Sequence, residues 1–317
     1  MFDMIKRLFK SPSFLIGLLF LVGLLLTSIL YSWLFDNHIP VPGLLKDEKG
    51  ELIPGPYSPS DYFPFGTDNF GRNLFFVILV GAKYTIGLTI IITALRIIPS
   101  VLFGLFNYFY MGKALRFVKN ILDAFNYFPV ALLAFLLLNW VILWGPMMNF
   151  EDDYSISIQD SLYIYIGVLI IIGVPPLILI MTNEIEKIMG YEFIESARVL
   201  GASKWDFTWK HIKPFLLPQL VVIFLREFIS VLILIAHLGL LTIFIGGRTT
   251  REDLFGREVY ISSTNEWAGL IGSWWNFLMT TYPWITIIPV VFITLTILAA
   301  KMMLSGVMKE ISKDSRI

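Results

Sequence analysis

The sequence contains no cysteine, and its 317 residues include only three histidines. Without cysteine there is no disulfide, no thiolate metal ligand and no cysteine nucleophile. The histidines, His38, His211 and His237, are scattered without the paired spacing of helical zinc ligands, so we expect no metal site. No Gly-x-x-x-x-Gly-Lys-Ser/Thr phosphate loop is present, which excludes ATP binding by that motif. These absences predict a protein that is not an enzyme and carries no cofactor.

Charged residues are also scarce. They make up 15% of the sequence, whereas hydrophobic residues make up 56% and the mean hydropathy is +0.75. An ordinary soluble domain is about 25% charged. There is too little polar surface to coat a water-soluble globule, so most of the chain is expected to lie in a lipid bilayer. The formal net charge of zero predicts no nucleic-acid partner.

Six apolar runs are long enough to cross a membrane, which takes about 20 residues in a helix. The first is longer than a signal-peptide core and lacks a small-residue cleavage site, so we predict that it is retained. The sequence therefore predicts an all-α membrane protein with a cytoplasmic N-terminus (1–13) and a single transmembrane domain (14–317). The predicted spans are approximately 14–35, 79–110, 117–143, 162–181, 215–245 and 274–304.

The basic residues indicate the orientation of these spans. Fifteen of the 24 lysines and arginines fall on one side of the predicted membrane and six on the other. Fourteen of the 24 acidic residues fall on the side with the six basic residues. Positively charged loops are cytoplasmic. Both termini and a polar loop at 182–214 are therefore predicted to be cytoplasmic, and the segment 36–78 is predicted to lie outside.

The cytoplasmic loop has the pattern of two helices joined by a turn. Apolar residues recur at three- and four-residue spacing before Gly201, which suits a left-handed helix end. Ser203 and Asp206 then have the spacing of a capping box, and Pro214 and Pro218 are predicted to end the second short helix. Two interpretations remain open from the pattern. The pair forms either a ridge that a partner grips or an ordinary amphipathic helix in the lipid headgroups.

The loop resembles the EAA loop of ATP-binding-cassette importer permeases. In that family this loop is a coupling helix that docks into a separate ATPase subunit. The resemblance implies ATPase-coupling roles for its matching positions. These are Glu195, Ser196, Ala197, Gly201, Ile212 and Pro214.

A second resemblance concerns the segment FPFGTDNFGRNLFFVILVGAKYTIG before the second span. It is similar to the corresponding segment of the C-type permease of oligopeptide and dipeptide importers. The matching motif positions are Gly66, Thr67, Asp68, Gly71 and Arg72. The resemblance implies the transmembrane domain of a type I importer with a cytoplasmic coupling helix.

The resemblance also implies partners. These are two ATPase subunits or one heterodimer, a second homologous permease subunit and an extracellular substrate-binding protein. The expected location is a bacterial inner membrane. The cargo stays open, because importers for peptides, nickel, glutathione and other small solutes share these motifs. The alternative from another class is a secondary transporter driven by an ion gradient, which would require broken helices and membrane carboxylates near the midplane.

Charges within predicted spans are candidate functional residues because insertion of a charge at the bilayer centre costs a few kcal/mol. Asp123, Arg226 and Glu227 are the main candidates. We hypothesise that Arg226 or Glu227 lines the transport path or pairs with Asp123. A structural tether between helices is the competing interpretation.

Overall fold

The structure is a computed structural model. It describes residues 7–46, 49–140, 158–192, 194 and 203–314. The described helices and strands, numbered here in chain order, are α1 (Pro12–Phe35), α2 (Leu74–Tyr110), α3 (Leu115–Ala124), α4 (Val130–Leu138), α5 (Ile158–Met189), α6 (Lys204–Asp206), α7 (Lys213–Leu240), β1 (Arg248–Glu252), β2 (Glu258–Ser262), α8 (Trp267–Trp274) and α9 (Trp284–Asp314).

Five helical segments in the described part of the chain are long and apolar enough to cross a membrane. They contain α1, α2, α5, α7 and α9, and they coincide with five of the six predicted spans. The last of them begins ten residues later than predicted, because Trp274 ends the separate helix α8. The membrane-spanning, mainly helical fold is confirmed, whereas the count of six is not.

The third predicted span is divided. Helix α3 passes through a short 3-10 turn to Phe128, whose backbone is extended, and α4 begins only after Pro129. Proline has no N–H to donate and disfavours helical geometry at the residue before it. A run that is continuous in hydropathy is therefore interrupted in backbone geometry between residues 128 and 129.

The capping box at the start of the segment 204–240 is confirmed. Ser203 Oγ accepts from the backbone N–H of Asp206 at 3.1 Å and donates to its Oδ2 at 2.6 Å. The prediction that Pro214 and Pro218 end a short second helix is wrong. A π-helical stretch, Phe207–Ile212, leads directly into α7, and the prolines lie within that helix. Pro214 is tolerated because it falls in the first turn of α7, where its missing N–H has little cost.

Helices α2, α7 and α9 pack against α8, a short buried helix that follows a β-hairpin. Strands β1 and β2 pair antiparallel from Arg248 opposite Ser262 to Glu252 opposite Glu258. Trp267 at the start of α8 is fully buried, and its indole N–H donates to the carbonyl of Ile78 on α2 at 2.9 Å. The hairpin is the one departure, within the described residues, from the all-helical fold that the sequence predicts.

Ion pairs bring the basic segments together at one end of the bundle. Arg7 lies 3.8 Å from Glu310 near the C-terminus, and Lys119 lies 2.5 Å from Glu186 at the end of α5. The ammonium of Lys204 donates to the carbonyl of Phe109 at the end of α2. The segments that the sequence assigns to one side of the membrane therefore share one end of the molecule.

Candidate functional site

One exposed face of α7 carries polar side chains on an otherwise apolar helix. Arg226, Ser230 and His237 follow one another at spacings of four and seven residues, which places them on the same face. All three are exposed. They extend over about 16 Å at the helical rise of ~1.5 Å per residue. A charge facing lipid costs a few kcal/mol, so this polar stripe (Arg226, Ser230 and His237) is expected to meet water or another protein.

A buried ion pair lies beside the polar stripe. The guanidinium of Arg96 on α2 donates to the carboxylate of Glu227 on α7 through Nη1. Its Nε donates to the carbonyl of Leu169 on α5 at 2.9 Å, so one side chain joins three membrane helices. Arg96 is 2% exposed, and its Nη2 has no hydrogen-bond partner within the described structure. Glu227 compensates the charge of Arg96, whereas one guanidinium nitrogen remains without an acceptor.

A glycine provides the space for this guanidinium. A Cβ added at Gly173 of α5 would lie 2.3 Å from both Cζ and Nε of Arg96, well inside van der Waals contact. Pro175 and Pro176 follow immediately in the same helix. The Arg96 side chain thus lies flat against α5 at the one residue type that leaves room for it.

The ion pair and two residues of the polar stripe, Ser230 and His237, border a cavity of about 480 Å³. Its walls include Arg96, Glu227, Ser230 and His237, and Pro129 from the interrupted third span also lines it. Non-helical backbone at membrane depth is tolerated where it is buried in protein or lines a water-filled cavity. The interruption of the helix at Pro129 and the polar side chains together indicate an aqueous cavity between the membrane helices.

The three charged residues proposed from the sequence are located differently. Glu227 pairs with Arg96 of another helix. Arg226 is exposed on α7, where its Nη2 lies 4.0 Å from the sulfur of Met308 on α9. Asp123 lies exposed on α3. Sequence reasoning missed Arg96 as the partner of Glu227 because helical spacing within one segment carries no information on pairing between helices.

The proposed coupling residues are described only at the C-terminal end of their loop. Glu195, Ser196, Ala197 and Gly201 lie outside the described residues. Ile212 is 1% exposed and belongs to a hydrophobic cluster with Ile185 and Ile188 at the end of α5. Pro214 is exposed in the first turn of α7. The described end of the loop is therefore anchored by Ile212 on α5 and α7.

The motif Gly66–Arg72 forms a rigid turn at the opposite end of the bundle. Asp68 is fully buried and accepts from the backbone N–H groups of Phe70 at 2.9 Å and Arg72 at 2.8 Å. Its other oxygen accepts from Nε of Arg72 at 2.7 Å, and Arg72 also donates to Asn265 before α8. Gly66 and Gly71 both have φ of +74°, a conformation that favours glycine. These residues hold the segment before α2 against α8.

A second copy of this turn follows β1, and sequence reasoning missed it. Asp253 accepts from the backbone N–H of Phe255 at 2.9 Å and of Arg257 at 3.0 Å, and from the guanidinium of Arg257. The two turns are joined, because the N–H of Leu254 donates to the carbonyl of Asn69 at 2.9 Å. The available signal was the repeated pattern Asp-x-Phe-Gly-Arg, which occurs at 68–72 and again at 253–257.

Glu266 is a buried acid between β2 and α8, outside the five membrane-length segments. Burial raises the pKa of its carboxyl from 4.5 to about 7, although hydrogen bonds from Ser262, Thr264 and the N–H of Ile245 favour the charged form. The Thr264 hydroxyl donates to Oε2 at 2.5 Å, and the N–H of Ile245 donates to Oε1 at 3.0 Å. Glu266 thereby ties the end of the hairpin to the loop after α7.

Comparison with known proteins links this architecture to transport. The family described as "Binding-protein-dependent transport system inner membrane component" matches residues 100–256. The chain belongs to this family. In this inner membrane component, the matched segment includes the whole of α5 and α7, the loop between them and the polar stripe. The proposed coupling loop, the polar stripe and Glu227 therefore fall in the part that matches, whereas Arg96 lies just before it.

Relatives extend the similarity along the chain. The chain is 24% identical over 229 residues to the probable D,D-dipeptide transport system permease protein DdpC of Escherichia coli (strain K12), covering 72% of this chain and 68% of the relative. It is 24% identical over 308 residues to the peptide transport system permease protein SapC of Escherichia coli O6:H1, covering 96% and 92%. It is 25% identical over 182 residues to the glutathione transport system permease protein GsiD of Pectobacterium atrosepticum, covering 53% and 55%. This multi-pass membrane component is thus similar to permeases of peptide-type transport systems.

Proposed function

We propose that this protein is the permease subunit of an ATP-driven importer and forms one half of its transport path. The family match carries the proposal, because it covers both the segment with the proposed coupling loop and the polar stripe. The polar stripe and the Arg96–Glu227 pair line this subunit's side of the path. A second, homologous permease subunit completes the path and covers the stripe.

Energy is supplied from outside this chain. The loop 182–214, with Glu195 and Gly201 at its centre, docks into one of two ATPase subunits, which are identical or form a heterodimer. The described end of the loop suits a lever, because Ile212 packs on α5 and α7 and the capping box at Ser203 begins a helical segment that continues into α7. An extracellular binding protein delivers the cargo. No nucleic acid takes part, and this chain itself catalyses no reaction.

The cargo is a peptide. The relatives named above are peptide, dipeptide and glutathione permeases, and their names support this choice. Both termini face the cytoplasm of a bacterial cell, and the turns at 66–72 and 253–257 face outward. The ion pairs that collect the basic segments at one end of the bundle support this orientation.

Co-purification and uptake test the proposal. The chain is isolated in mild detergent from its native host, and the co-purifying ATPase is identified by mass spectrometry. Glu195→Ala and Gly201→Asp are expected to abolish ATP-driven peptide uptake while the membrane bundle remains folded. Matched controls on the outer side are Glu258→Ala, which is exposed on β2, and Gly43→Asp, where an added Cβ meets nothing within 4 Å. Isolation without any ATPase, or wild-type uptake in both loop variants, contradicts the proposal.

A further inference from the structure

A second groove of the described structure lies away from the proposed transport path. It has a volume of about 840 Å³ and runs between the last ten residues of α2 and the segment 203–220. Its lining is mainly leucine and aromatic, including Leu105, Phe109 and Leu217. No residue lines both this groove and the cavity beside Glu227. The groove is therefore a separate apolar feature that the proposed function does not use.

Cations stand at the rim of this groove. The ammonium of Lys204 lies 3.9 Å from the ring centroid of Tyr110, and that of Lys213 lies 4.3 Å from the ring centroid of Trp209. The hydroxyls of Ser203 and Thr208 also line it. No aspartate or glutamate is among the described lining residues. An apolar groove with lysines and hydroxyls among its lining residues matches an amphiphile that has an acidic head and a hydrocarbon tail.

The position of the groove places it at the membrane surface. It lies at the end of two membrane-length segments, and Trp205 and Trp209 on its rim are both exposed. Tryptophan is enriched at the headgroup level of bilayers. Leu102 and Phe106 of α2 also line the groove and are exposed, so the groove opens sideways to the hydrocarbon region. Basic pockets between helices at such a level are suited to anionic lipid headgroups.

We propose that this groove binds one anionic phospholipid of the surrounding bilayer. An acyl chain lies along Leu105, Phe109 and Leu217, and the phosphate lies between Lys204 and Lys213. The lipid would then contact the first turns of the segment 204–240, directly after the proposed coupling loop. The inference requires that the chain spans a bilayer, and it is independent of the cargo and of the ATPase.

Photo-cross-linking in lipid nanodiscs tests this site. The protein, with any subunits that co-purify, is placed in phosphatidylcholine nanodiscs containing a trace of photoactivatable phosphatidylglycerol. Labelled peptides are then mapped by mass spectrometry. Labels are expected within 101–110 and 203–220, at a level several times that given by photoactivatable phosphatidylcholine. Equal labelling by the two lipids, or labels confined to other segments, would overturn the proposal.

Two variants separate the head and tail contributions. Lys204→Ala with Lys213→Ala is expected to reduce phosphatidylglycerol labelling on the order of tenfold, because both lysines attract the anionic headgroup. The matched control removes two exposed lysines of α9, Lys301→Ala with Lys309→Ala, and is expected to leave labelling unchanged. Leu217→Trp fills the groove without changing the charge and is also expected to reduce labelling. If the α9 pair lowers labelling as much as the groove pair does, general surface charge explains the labelling and the proposal is overturned.

Leu217→Trp provides the decisive steric result. Unchanged labelling in this variant, with a melting temperature like that of the unmodified chain, would show that no acyl chain occupies the groove. Protein-to-protein cross-links from a photoreactive residue at position 102 would instead assign the groove to another subunit and overturn the proposal. Peptide uptake is measured in parallel. Absence of uptake by the unmodified protein, with its lipid labelling intact, would contradict the proposed function but not the lipid site.

Discussion

The guanidinium of Arg96 depends on a single glycine for its space. Helix α5 contains two glycines that a sequence pattern does not distinguish. A Cβ at Gly167 would meet nothing within 4 Å, whereas a Cβ at Gly173 would overlap the guanidinium. The Arg96 side chain therefore fits against α5 only because residue 173 has no Cβ.

Substitution of these glycines tests that fit. Gly173→Ala is expected to destabilise the protein by about 1–3 kcal/mol, as overpacking of a buried site does. Gly167→Ala is the matched control in the same helix and is expected to be neutral or stabilising by up to about 1 kcal/mol. Thermal unfolding followed by size-exclusion chromatography in detergent measures both. Equal melting temperatures for the two variants would contradict the packing seen at Gly173.

The Arg96–Glu227 pair allows structure and transport to be separated. Removing one partner leaves a buried charge uncompensated, so Arg96→Leu or Glu227→Leu alone is expected to cost about 3–5 kcal/mol. The double variant is expected to recover much of that loss, because an apolar pair can replace a buried ion pair at little cost. A double-mutant cycle on the melting temperature measures this coupling.

Uptake by the same double variant then identifies the role of the pair. If the pair is part of the transport path, the double variant is expected to fold but to lose uptake. If the pair is only a structural tether, the double variant is expected to recover uptake together with stability. That result would show that the pair is not part of the proposed path.

Glu266 makes stability depend on pH. Its pKa in the folded protein is raised from 4.5 to about 7 by burial, so the neutral form is the one that the fold favours. This contribution is complete below about pH 4.5 and is lost as the pH rises through about 7. The melting temperature is therefore expected to fall between pH 5.5 and pH 8.5.

The isosteric neutral variant provides the comparison. Glu266→Gln should show a smaller fall over the same pH range, while Glu258→Gln, at an exposed position on β2, should behave like the unmodified chain. A parallel decline in all three proteins would show that another group is responsible.

At the scale of elements, α8 is inserted against its neighbours with backbone contact. A Cβ at Gly272 of α8 would lie 1.9 Å from the carbonyl oxygen of Gly239 on α7, and a Cβ at Gly239 would lie 2.2 Å from the carbonyl oxygen of Ala268. On the other side of α8, a Cβ at Gly81 of α2 would lie 2.1 Å from the carbonyl oxygen of Asn265. Small residues let membrane helices approach this closely. The three glycines fix α8 between α2 and α7.

Enlarging this contact should separate the helices. Gly272→Ala must displace backbone rather than a flexible side chain, so a loss of at least about 1–3 kcal/mol is expected. Gly23→Ala in α1, where a Cβ meets nothing within 4 Å, is the control and should be tolerated. Expression level and melting temperature measure both. Normal behaviour of Gly272→Ala would mean that α7 and α8 are further apart than the structure shows.

At the scale of the whole molecule, the ends of the bundle differ in charge and in construction. One end collects the basic segments, and the other carries the paired Asp-x-Phe-Gly-Arg turns. The absence of native cysteine makes this polarity measurable. Glu258→Cys on β2 is expected to react with a membrane-impermeant maleimide in intact cells, whereas Lys309→Cys on α9 is expected to react only after permeabilisation. The reverse pattern would invert the proposed orientation.

The sequence by itself determined that most of this chain lies in lipid. It also determined five of the membrane helices and the segregation of the basic segments. These follow from local quantities, because a helix of about 20 apolar residues satisfies its own backbone in lipid wherever it packs. It also determined the Ser203 capping box, whose partners are three residues apart.

Tertiary structure decided which charges meet. Glu227 pairs with Arg96, 131 positions away in sequence, and the guanidinium fits because Gly173 of a third helix leaves room for it. The break at Pro129 becomes informative only when it is seen to line the same cavity. Contacts between helices depend on their relative rotation and spacing, and no periodicity within one segment encodes these.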